Sequence, residues 1–205
     1  MIPLRILAAL TLLWAAAALC AQVLLVYRGG RRDYSLRAGS PARGLIHNFT
    51  SAMLPGHKES VRLHPAEFAA GIALHLGVFA ALAEVLVLLA NGAVPERFGG
   101  LRVIAAVGLP AGIALLVRRV RSPLLRRLSA PDDYVAVLAT VGLLGFATLP
   151  FPGPNSPAWL LGYAVPFFLY LPLGKLRHAV FFFVARAELG RRLGYRGVYP
   201  PASAR

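Results

Sequence analysis

Two histidines of this chain lie within apolar stretches, where an ionisable ring is costly to bury in hydrocarbon: His75 in Gly71-Ile-Ala-Leu-His-Leu-Gly-Val78 and His178 in Leu171-Pro-Leu-Gly-Lys-Leu-Arg-His-Ala-Val-Phe-Phe-Phe183. Imidazoles at membrane depth on two different helices suit axial ligation of an iron porphyrin, so the pair predicts one b-type haem held by His75 and His178. The plainer alternative is that each ring bonds a neighbouring helix. Gly71, one turn before His75, and Gly77 nearby leave room for a flat macrocycle. Lys175 and Arg177 lie within a turn of His178, where they either meet haem propionates or snorkel to headgroups.

Two ligands of one haem must sit at one depth. His75 lies seven residues after Phe68, ~10 Å into its helix, and His178 lies eight residues before Arg186, ~12 Å from the same face, so the two depths match. His64 is an alternative ligand, because eleven residues is about three turns and puts it on the His75 face. Its neighbours Arg62, Pro65 and Glu67 describe an interfacial segment, where a histidine is solvated at little cost.

The elements that must carry these rings are membrane helices. At 58% hydrophobic and 15% charged residues, the 205-residue chain is too apolar for an ordinary soluble domain. Its net charge of +14 comes from arginines that bracket apolar runs, a topology pattern that excludes nucleic acid as the partner. The single Cys20 excludes an internal disulfide and a Cys-based metal centre. Five stretches, 6–27, 68–90, 103–117, 134–149 and 158–185, approach the ~20 residues needed to cross ~30 Å of hydrocarbon. The prediction is an all-α, single-domain, five-span protein of a bacterial cytoplasmic membrane. The first run is expected to stay uncleaved, since Leu19 before Cys20 is too large for a cleavage site and the apolar run continues to Tyr27. Arginines and lysines concentrate in the 28–64 and 118–133 loops and in the tail, which puts the N-terminus outside and the C-terminus in the cytoplasm. A short interfacial helix is expected within 45–54. Pro166 and Pro172 should kink the fifth span and free backbone carbonyls.

Leu74-His-Leu-Gly-Val-Phe79 together with Leu171-Pro-Leu-Gly-Lys-Leu-Arg-His178 resembles the cytochrome b gamma subunit of respiratory nitrate reductase. Ser51-Ala-Met-Leu-Pro-Gly-His-Lys-Glu-Ser60 and Leu193-Gly-Tyr-Arg-Gly-Val-Tyr-Pro200 are similar to the membrane subunits of sulfite-reductase-linked and tetrahaem-cytochrome-linked redox complexes. The resemblance implies haem ligands on the second and fifth spans, quinone chemistry and an iron–sulfur partner at the cytoplasmic face. Two-haem members carry a further histidine later on the second span and another earlier on the fifth. This chain has Val85 and Leu160 there, so the resemblance implies that only the cytoplasm-side haem is kept.

The reading is therefore an electron-transfer subunit of an oxidoreductase complex, working between a membrane quinone or quinol, menaquinone first, and a cytoplasmic iron–sulfur subunit, with lipid around it. Its rivals are a haem-free membrane anchor and a small transporter subunit using the same helices. Glu84 lies deep in an apolar run, where a carboxyl either accepts a quinol proton or bonds another helix; it is half a turn out of phase with His75, which predicts that it faces away from the haem and favours the second use.

Overall fold

The computed structural model describes residues 1–29, 34–149 and 156–201, and all regular structure among them is helical. Arg31 and Arg32 of the first loop and most of the 150–157 turn fall outside the described residues. The α-helices are α1 (Ile2–Arg28), α2 (Pro41–Phe49), α3 (Glu59–Leu63), α4 (Pro65–Asn91), α5 (Gly99–Arg121), α6 (Pro123–Leu128), α7 (Pro131–Thr148), α8 (Ser156–Tyr170) and α9 (His178–Tyr195), joined in places by 3-10 turns.

Three helical stretches are long and apolar enough to cross a membrane: α1, α4, and α5 with the preceding turn, Glu96–Arg121. A fourth arises if α8 and the helix that follows it count as one span. The structure thus makes the third stretch longer than the predicted 103–117. It also interrupts the predicted 158–185 span. Pro172 lacks an N–H and disfavours helical backbone at Leu171, so α8 stops at Tyr170 and helix resumes with the 3-10 turn Lys175–Arg177. Pro166, by contrast, sits inside α8 without ending it.

The described residues form two compact units. The first comprises Met1–Ala18 and Ala66–Leu176. Its core is built from small and aliphatic side chains, among them Ala80, Ala81, Val85 and Leu88 of α4, Leu143 and Leu144 of α7, and Leu161 and Ala164 of α8. Close approach of α4 and α5 is set by glycine: a Cβ on Gly77 would lie 2.7 Å from the Gly108 Cα, and one on Gly112 3.0 Å from Leu74 Cδ1. Ion pairs flank that contact, Glu67 with Arg118 at 3.1 Å and Glu84 with Arg102 at 3.3 Å. Steps of ten and then seven residues forward along α4 are matched by ten and then six back along α5, so the helices are antiparallel in one fixed register. At the far end of α4 the Arg5 guanidinium donates to Leu89 O at 2.6 Å and Ala90 O at 3.2 Å, satisfying carbonyls that a helix end leaves open.

The second unit comprises Leu19–Pro65 and Arg177–Arg205. Here α2, near the expected interfacial helix but shifted towards the N-terminus, lies on α9 through Gly44, Gly190 and Gly194. A Cβ on Gly190 would sit 2.9 Å from Gly44 O. Asn48, 2% exposed, locks the pair: its Nδ2 donates to Arg186 O at 2.6 Å, and Arg186 Nη2 donates back to Asn48 Oδ1 at 3.0 Å. Gly197, at φ +73°, closes α9 with Val198 N–H on Leu193 O and its own N–H on Gly194 O.

Candidate functional site

His75 belongs to the first unit and projects from the outward face of α4, with Ile72, Leu76, Phe79 and Leu86 exposed around it. The opposite face carries the buried Gly77, Ala81, Glu84 and Leu88, as the 3.6-residue period requires. The ring's Nδ1 lies 2.6 Å from Gly71 O. A carbonyl only accepts, so Nδ1 donates this bond, and in a neutral ring so held the lone pair lies on Nε2. That is the tautomer in which a histidine binds a metal through Nε2, with a backbone carbonyl orienting the ring. A Cβ built on Gly71 would meet nothing within 4 Å, so the space beside the ring is open.

His178 is the first residue of α9 and belongs to the second unit, as does His64, which is exposed in the linker between α3 and α4. Next to His178 in the chain, Arg177 and Phe181 line an open groove with Gln22, Leu25 and Val26, about 520 Å³ in volume. Its walls are apolar apart from the amide and the guanidinium.

Lys175 has a different position from Arg177. Its ammonium lies 2.6 Å from Asp133 Oδ2, and its backbone N–H donates to Asp132 Oδ2 at 2.9 Å. The Tyr170 hydroxyl also donates to Asp132. The first turn of α7 therefore holds both sides of the break between α8 and the next helix. The Lys175 ammonium, followed by the Ala130 N–H, holds the Asp133 carboxyl below the usual carboxylate range. Arg119 adds a looser contact to Asp133 at 3.6 Å and donates to Ser129 Oγ at 2.9 Å.

Glu84 is buried at 2% exposure, faces away from His75 and pairs with Arg102 on α5, as its phase on the helix predicts. Sequence reasoning missed the Asn48–Arg186 lock and the aspartates beneath Lys175. The four-residue spacing of Gly190 and Gly194 was a legible sign of helix crossing; the aspartates offered only their place at the start of α7. The His47 ring packs 5.0 Å from that of Tyr199. No protein-family model, curated protein or solved structure matches the chain.

Proposed function

We propose that this chain is a haem b subunit of a respiratory redox complex in a bacterial cytoplasmic membrane. It exchanges electrons between a membrane quinone, menaquinone first, and an iron–sulfur subunit on the cytoplasmic face. The observation that carries the reading is the His75 ring, set on the outward apolar face of a membrane-length helix with Nδ1 committed to Gly71 O at 2.6 Å. An imidazole is costly in that setting unless it has work to do, and the carbonyl raises the basicity of Nε2.

On this reading His75 and His178 supply the axial nitrogens, and the open space over Gly71 admits the ring. Arg177 faces the propionates, while Lys175 is assigned to the helix break because Asp133 holds its charge. A bound haem supplies one-electron chemistry, and the chain supplies ligand basicity, water exclusion and positive charge. Five segments cross the membrane, with the N-terminus outside and the C-terminus inside. In that count α7 supplies the fourth span from Tyr134 onward, its first turn with Asp132 and Asp133 lying outside the hydrocarbon, and α8 with α9 makes the fifth. The 28–64 loop and the 191–199 tail dock the iron–sulfur partner.

The test is haem extraction and a reduced-minus-oxidised spectrum of the purified protein. One low-spin haem per polypeptide is expected, lost in His75→Ala and in His178→Ala and kept in His64→Ala. Haem-free wild-type protein, or haem lost with His64 and kept without His75, overturns the assignment.

A further inference from the structure

Among the described residues of the first unit, Glu84 is the buried acid, and the electron-transfer reading assigns it no part in holding the haem. It sits among Ala80, Ala81, Val85 and Leu88, and its contact to Arg102 is single: Arg102 Nη2 donates to Oε1 at 3.3 Å. Oε2 is buried with no hydrogen-bond partner among the described residues. A bidentate fork, frequent in arginine–carboxylate pairs, would engage both oxygens; here one is left orphaned and buried, at a cost of about 1–3 kcal/mol. This pair is also lopsided: Glu84 is 2% exposed and the Arg102 side chain 59%. The guanidinium can therefore leave for headgroups or water, while the carboxyl cannot follow it.

Once Arg102 departs, an isolated carboxylate at that depth is untenable, and the group must take a proton. The path is short. Glu84 lies seven residues before Asn91, the last residue of α4, or about 10 Å below the helix end, and Arg102 sits in the first turn of α5 beside the same end. The other charged groups there are Arg5, tied to Leu89 O and Ala90 O, and Glu96 and Arg97 in the connecting turn.

We propose that Glu84 is a proton-exchange site, which binds and releases one proton between membrane depth and the aqueous layer at the α4–α5 turn, with the Arg102 guanidinium as its gate. Uptake forms one carboxyl O–H bond with a proton from water as Arg102 swings out; release breaks that bond and returns the proton as Arg102 docks. The site does not depend on haem binding.

The test is labelling of the full chain in lipid vesicles with dicyclohexylcarbodiimide, which adds to protonated carboxyls in apolar surroundings, followed by peptide mass spectrometry. Label is expected on Glu84 and should decline as the pH rises. Arg102→Met should increase the labelled fraction at neutral pH about tenfold, the effect of removing one close opposite charge. An unlabelled Glu84, or labelling that is independent of pH and of Arg102, overturns the proposal in favour of a fixed structural pair. Should Arg102→Met fail to assemble, the protonated-carboxyl infrared band of the wild type decides the question. A band that titrates and is missing in Glu84→Gln supports exchange, and a band that does not titrate refutes it.

Discussion

Gly77→Ala should destabilise the first unit by about 1–3 kcal/mol, the range for forcing an extra carbon into a packed core. The added Cβ would stand 2.7 Å from the Gly108 Cα and 3.2 Å from Leu144 Cδ2. Carbon contacts settle at about 3.5–4.0 Å, so α4 and α5 must separate by roughly 1 Å at this point, because the obstacle is backbone and cannot rotate aside. The same displacement stretches the flanking pairs, Glu84–Arg102 from 3.3 Å and Glu67–Arg118 from 3.1 Å, beyond useful range. Gly108→Ala should behave alike, since its Cβ would meet the Gly77 Cα at 2.8 Å. Gly162→Ala on α8 is the control: its Cβ meets nothing within 4 Å, so it should be neutral or stabilising by up to about 1 kcal/mol through reduced backbone entropy. Denaturant titration in detergent micelles, followed by helical circular dichroism, measures all three. If Gly77→Ala and Gly162→Ala shift the midpoint equally, the close antiparallel crossing is not what sets stability there.

Asn48→Ala removes both side-chain bonds to Arg186 and leaves a carbonyl and a guanidinium N–H under-bonded, so a loss of about 1–3 kcal/mol is expected, read as faster proteolysis of the 28–64 loop. Wild-type protease resistance in the variant would show that the lock carries no weight. Asp133 has a lowered carboxyl pKa in the fold, so its contribution is present above the unfolded-state value and disappears as pH falls through the folded one. Melting curves from neutral to strongly acid pH should therefore lose part of their acid dependence in Asp133→Asn, and parallel curves for the two proteins would refute that assignment. With Cys20 replaced, an impermeant thiol reagent applied from outside should modify a cysteine introduced at Asn155 and spare one at Ser129; the reverse pattern would invert the proposed orientation.

Sequence alone established the material and the phase of this protein. Apolar run length marks α1 and α4 as membrane-length helices, and the helical period assigns His75 and Glu84 to opposite faces, because both properties belong to one helix and need no partner. Tertiary structure decided the partners. Pro172 signals a weak point, but that Asp132 and Asp133 hold the break through Tyr170 and Lys175 depends on where α7 begins in space. Equally, Glu84 calls for a cation, yet its neighbour is Arg102 because Gly77 and Gly108 set the register of α4 against α5. Asn48 is an unremarked polar residue in a loop until Gly44, Gly190 and Gly194 bring α2 close enough for it to meet Arg186. Register between helices is a rigid-body property of packed surfaces, so each such pair becomes legible only when the backbones are in contact.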